Sequence, residues 1–167
     1  EDGLSTQTVP NHVHARPALN ELTQGRQHFG IAAIGAEPAP AGGGPGASGV
    51  NFRWFGTNGW EISFGNKTIL IDPWLGNPRS PRTADSIERC DLMLVTHGHF
   101  DHMGDAVAIA SRLRPTWPCM HEMSLWLGRR LPGGADAAVG MNKGGTYDAG
   151  GIKVTMTHAD HSAGDWN

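Results

Sequence analysis

Cysteine is scarce. Cys90 and Cys119 are the only two in 167 residues, and neither belongs to a CxxC pair. A disulfide framework is thereby excluded. Two small buried side chains are the plainer reading of the pair, with a single bridge between them left open. Long hydrophobic runs are also absent, and no stretch reaches the length of a membrane-crossing helix. Nor is there an excess of base. The 13 Lys and Arg stand against 16 Asp and Glu, for a net charge of −3, with both signs mixed along the chain. The basic patch that a nucleic-acid surface needs is missing.

What is present suits one ordinary domain. The length allows a real core, and 24 glycines make loops plentiful. Residues 1–49 read as a flexible N-terminal arm and linker. "APAGGGPGASG", Ala39 to Gly49, has no apolar period. One short helix is expected after Pro17. His12 and His14, in "NHVH", read as part of a mobile tail because no other ligand types stand near them. The start at Glu1, read as a sign of processing or excision, the Gly/Pro-rich arm and the scarcity of cysteine together favour export, periplasmic or secreted, over a cytoplasmic location.

From Val50 the pattern sharpens. "NFRWF" and "WEISF" alternate around a turn at Gly56 to Gly59 and predict two paired strands. "KTILID" predicts a strand that stops at Pro73. "DLMLVTH", Asp91 to His97, is apolar on both faces, as in a central strand covered on both sides. Met103, Val107, Ala110 and Leu113 then recur at helical spacing, and Pro115 closes that helix. "TWPCMH" predicts a strand, "EMSLWLGRRL" a helix ending near Pro132, and "GGIKVTMTHAD" a last strand. The order is that of a layered α/β domain.

The chemistry concentrates where the central strand gives way to the helix. His97, His99, Asp101 and His102 form H-x-H-x-D-H between Gly98 and Gly104. Neutral imidazole and carboxylate together suit zinc, iron or manganese. Glycine lets a short loop turn tightly enough for several side chains to converge. A lone histidine at a strand end is commonly structural, but four ligand-type residues within six positions point to metal. His158, Asp160 and His161 follow the last strand, and one of these histidines could complete a three-histidine position.

"THGHFDH" resembles the signature of the metallo-β-lactamase superfamily. "KTILIDPWLG", "LVTHGHFDHMGDAVAIA", "GMNKGG" and "GGIKVTMTHADHS" are similar to metal-dependent hydrolases close to the ascorbate-6-phosphate lactonase branch, over about Phe52 to Ser162. The resemblance implies that His97 and His99 bind a first metal and Asp101 and His102 a second. His161, which precedes Ser162 as in the family's "HS" pattern, would be the next ligand of the first. His158 ranks below it, since relatives often carry a proline there. Asp72, in "LIDP", would orient a ligand from beneath the metal loop. Relatives often have a histidine after the glycine of the first hairpin, where this chain has Thr57 and Asn58, so substrate contacts on that side are expected to differ.

The fold implied is α/β, the four-layer αββα sandwich of two similar halves, with residues 50–167 supplying mainly the N-terminal half. A full member needs two further ligands, an aspartate bridging both metals and a last histidine. Asp165, in "AGDW", resembles the bridging "GD" only superficially, because the family places that aspartate at least a strand and a turn further on. A half sandwich would expose an apolar face. A partner is therefore expected: a second chain, a C-terminal segment lost by cleavage or truncation, or a second copy, with the first two favoured.

The activity implied is hydrolysis of a small-molecule ester, lactone, amide or phosphodiester by a hydroxide held between two divalent metals, with Asp101 also orienting the water. Zinc is the first choice, and manganese or iron fit the same donors. The alternative from another class is a non-catalytic metal-stabilised binding module or degenerate half-domain. Metal content and sensitivity to chelators separate the two. Trp54, Trp60 and Trp74 read as core residues first and as walls of an apolar pocket second.

Overall fold

The computed structural model describes residues 31–36 and 49–161. His12, His14, the helix expected after Pro17, nearly all of the Gly/Pro-rich linker and Asp165 lie outside the described residues.

The hairpin expected from the alternating aromatic stretches is β2 (Val50–Trp54) against β3 (Trp60–Phe64), and β3 pairs on with β4 (Lys67–Ile71), all antiparallel. The chain then crosses over, and β5 (Leu92–Leu94) pairs parallel to β4. Beyond β5, a parallel bridge between Leu92 and Thr116 leads to β6 (Pro118–Met120), which pairs parallel with β7 (Val139–Met141). A second, antiparallel sheet has β9 (Ile152–Met156) at its centre, between β1 (Ile31–Ala36) and β8 (Thr146–Asp148).

The arm is thus not irregular throughout. Ile31–Ala36 forms β1, whose backbone pairs with β9 from Ile31↔Met156 to Ala36↔Ile152. Six residues of small side chains around two isoleucines carry too little pattern to announce a strand, and the open side of β9 supplies the hydrogen bonds that make one.

Three helices follow β5: α1 (Phe100–Met103), α2 (Ala106–Leu113) and, after β6, α3 (His121–Gly128). The doubly apolar run explains the layering. Leu92 and Leu94 of β5 point with Ile69 to one side and pack on Ile152 and Val154 of the second sheet. Met93 and Val95 point with Leu70 to the other and pack on Ala106, Ile109, Met123 and Leu127 of the helices. Helix, sheet and sheet form three layers. Helix α2 ends as expected ahead of Pro115, with Arg114 in the left-handed region at φ 51° and its N–H on Ala110 O.

One apolar stripe escapes this packing. The register Val50↔Phe64, Phe52↔Ile62, Trp54↔Trp60 puts Val50, Phe52 and Trp54 on the same face as the buried Ile62. They are nevertheless 55%, 61% and 45% exposed. The inner face of the first sheet therefore runs past the edge of the second. Trp54 is not a core residue, and its indole N–H donates to Thr57 O.

Both cysteines are free and buried in the helix-side core. Burial pushes each thiol up to about 12. The thiolate, which is the reactive form, is then almost absent near neutrality. At pH 8 neither is expected to react with iodoacetamide in the folded chain, and both are expected to react in urea. Mass spectrometry of the two samples checks this.

Candidate metal centre

The parallel pairing of β4 with β5 brings two strand ends out side by side, and the centre is built on them. Asp72 follows β4 directly and extends the ladder by donating its N–H to Leu94 O at 2.9 Å. Its backbone sits at φ 43°, a left-handed conformation that Asp and Asn tolerate better than other non-glycine residues. The side chain is buried, 2% exposed, and it collects three donors. Thr96 N–H reaches Oδ1 at 2.8 Å, Thr96 Oγ1 reaches Oδ2 at 3.0 Å, and His102 Nδ1 reaches Oδ2 at 2.9 Å.

This arrangement sets the tautomers of two histidines. An ionised carboxylate only accepts, so the proton of neutral His102 lies on Nδ1 and leaves Nε2 bare. The Thr96 hydroxyl gives its proton to Asp72 and has a lone pair left for His97 Nδ1, 3.0 Å away. His97 then also carries its proton on Nδ1, with Nε2 bare. Burial and the neighbouring histidines push His97 down to about 4, so it is a neutral imidazole at pH 7.

Three imidazoles converge. His97 Nε2 lies 2.9 Å from His99 Nδ1, and His161 Nε2 lies 3.2 Å from the same atom. The candidate ligand atoms of His97, His99 and His161 all fall within 4.8 Å of one another. Nitrogens bound tetrahedrally to zinc are about 3.3 Å apart. The donor set fits a divalent cation: three imidazoles, one of them held neutral and with its second nitrogen already occupied.

Asp101 and His102 stand next to this group on α1. Asp101 Oδ2 is 3.6 Å from His102 Nε2. Both therefore present donor atoms to one place, and they could hold a second cation. The same His102 Nε2 lies 3.1 Å from Asn58 Nδ2, which reaches across from the β2–β3 turn. His158 is engaged elsewhere: it is exposed, with Nε2 2.7 Å from Asp160 Oδ1 and Nδ1 3.2 Å from Lys143 Nζ.

The wall beside the centre is the loop after β4. Trp74 packs edge-on against Phe100 with ring centroids 5.3 Å apart, and Phe100 is itself 51% exposed. Asp105 fixes this loop by accepting from Leu75 N–H at 2.6 Å and Gly76 N–H at 2.9 Å. Asn77 fixes it again by donating to Phe55 O at 2.9 Å and accepting from Arg79 N–H at 2.9 Å. Sequence reasoning missed Thr96, Asp105 and Asn77. Only Asp105 carried a signal, as an acid directly after the glycine that closes the metal stretch.

Comparison with known proteins places the fold in a family. Residues 67–167 match the family model described as a beta-lactamase superfamily domain. The chain is 46% identical over 118 residues to a UPF0173 metal-dependent hydrolase of Koribacter versatilis, covering 70% of this chain and 49% of that protein. It is 39% identical over 112 residues to another from Caldivirga maquilingensis, covering 66% and 48%. Among solved structures, Igni18, a metallo hydrolase from the archaeon Ignicoccus hospitalis, is similar with a TM-score of 0.61 and 30% identity, over 68% of this chain and 50% of that one. The chain spans about half the length of the relatives it matches. Its three layers are the N-terminal portion of their fold, and the chain belongs to the metallo-β-lactamase superfamily.

Proposed function

We propose that this chain is the metal-holding part of a hydrolase with two divalent cations, zinc first among them, acting on an ester, lactone, amide or phosphodiester. The observation that carries the reading is the convergence of His97, His99 and His161 within 4.8 Å, with the Asp101–His102 pair 3.6 Å apart beside it. The metal-dependent hydrolase names of the relatives support it.

His97, His99 and His161 would hold the first cation, and Asp101 and His102 the second. When bound, the cations supply Lewis-acid chemistry, bringing the pKa of water towards 7 and offsetting charge that develops on a carbonyl or phosphoryl oxygen. The chain does the rest. Asp72 holds His102, and through Thr96 also His97, in the tautomer that leaves a lone pair for the site. Asp101 can accept a hydrogen bond from a water and aim it. Trp74 and Phe100, packed edge-on, offer an apolar surface beside the ligand loop.

The exposed stripe of Val50, Phe52 and Trp54 supports a covering partner, and we take this to be the C-terminal half that the relatives possess. Among the described residues no helix is long and apolar enough to cross a membrane. The test is to combine this chain with the C-terminal half of the Koribacter versatilis relative, then measure metal content and turnover of ester, lactone and phosphodiester probes. About two cations per complete unit are expected, with turnover that a chelator abolishes. A unit without transition metal, or turnover indifferent to the chelator, would overturn the reading. Metal uptake without turnover would favour the binding module.

A further inference from the structure

We propose that Asn58 caps the second metal position, holding the His102 nitrogen that a cation needs, so that this position fills only when Asn58 is displaced. The inference rests on the metal reading above. Its basis is a competition for one lone pair. Asp72 fixes the His102 proton on Nδ1, leaving a single lone pair on Nε2. The Asn58 side-chain amide stands 3.1 Å from that nitrogen and donates to it. A cation would bind the same lone pair at about 2.0–2.1 Å. The two cannot hold it together.

The cap is built into the fold. Asn58 lies in the turn between β2 and β3, and the backbone there is tightly held. Phe55 N–H donates to Gly59 O at 2.8 Å, and Gly59 N–H donates to Gly56 O at 3.1 Å. A Cβ at Gly59 would come within 3.0 Å of Asp72 O, so the turn is seated directly on the residue that orients His102. The first position gathers three imidazoles and the second one imidazole and one carboxylate, so the first equivalent of cation is expected at the three histidines.

The test is a zinc titration of this chain and of Asn58→Ala, with the Asn58 side-chain amide followed by nuclear magnetic resonance in the unsubstituted chain. The amide signals are expected to hold through the first equivalent and to move with the second. Asn58→Ala is expected to bind the second zinc about five-fold more tightly, the equivalent of about 1 kcal/mol for one neutral hydrogen bond, with the first step unchanged. An unchanged or weaker second step in the variant overturns the cap, as do amide signals that move with the first equivalent. Failure of either protein to bind any zinc overturns the metal reading itself, and the cap with it.

Discussion

Asp72→Asn is expected to leave the chain folded and to weaken zinc binding by about 10- to 100-fold, the usual effect of removing a group that orients a metal ligand. The reason is the direction of its hydrogen bonds. Asparagine suits the left-handed backbone at this position, φ 43°, and its carbonyl can still accept from Thr96 N–H. The other end of the side chain becomes an NH₂ group. It then faces His102 Nδ1 and Thr96 Oγ1 as a donor where the carboxylate accepted at 2.9 and 3.0 Å. His102 is driven to carry its proton on Nε2, the atom meant for the cation, and Thr96 no longer fixes His97. Competition against a chromophoric chelator measures the affinity. Unchanged zinc binding with an unchanged melting temperature would show that the carboxylate does not set these tautomers. Asp72→Ala is the harsher change, removing the acceptor of three hydrogen bonds; Thr96 Oγ1 and His102 Nδ1 can only partly compensate by pairing with each other at 3.1 Å. Each buried donor left unpaired costs about 1–3 kcal/mol, so this variant is expected to lose stability even without metal.

Gly104→Ala is expected to lower stability by about 1–3 kcal/mol, the usual range for overpacking. A Cβ at Gly104 would lie 2.5 Å from Trp74 Cδ1 and 2.9 Å from Trp74 Cβ and Cγ. The indole cannot easily yield, because Leu75 and Gly76 are tied to Asp105 at 2.6 and 2.9 Å and the ring itself rests on Phe100. The alternative is for α1 to move, which would carry Asp101 and His102 away from the other ligands. Urea unfolding of both single variants and of the double variant with Trp74→Ala separates these effects. The cost of Gly104→Ala should shrink in the Trp74→Ala background, where the contacts to Cδ1 and Cγ have gone and only the one to Cβ remains. An equal cost in both backgrounds would assign the effect to the backbone of α1 instead.

The ligand loop was legible because it is local. Four metal-liking side chains in six positions need no knowledge of the fold, and the glycines on either side already imply a tight turn. Asp72 was legible through the strand-then-proline pattern and the family resemblance. Thr96 was not, because a threonine at the end of an apolar strand is unremarkable until β4 and β5 pair in parallel. That pairing also explains why β5 is shorter than the apolar run. Thr96 N–H goes to the Asp72 carboxylate and not to a neighbouring strand. The helix expected from Met103 breaks at Gly104, where the chain presses on Trp74. Strands β7, with Gly140 at its centre, and β8, with Gly145 and Gly150 close on either side, went unread because neither shows an apolar run or an alternation. The contact of Asn58 with His102 joins positions 44 apart, and the only hint was that the first hairpin departs from its relatives.

The spacing of the three histidines also orders events during synthesis. His99 and His161 are 62 positions apart, and at about 5–20 residues per second the third imidazole emerges roughly 3–12 s after the second. It arrives only after β9 has been made, the strand on which the second sheet is assembled. A cation captured before then meets two nitrogens and is held weakly. On the proposed reading, firm metal uptake is therefore a late step of maturation, and it would record that the chain has closed one sheet over the other.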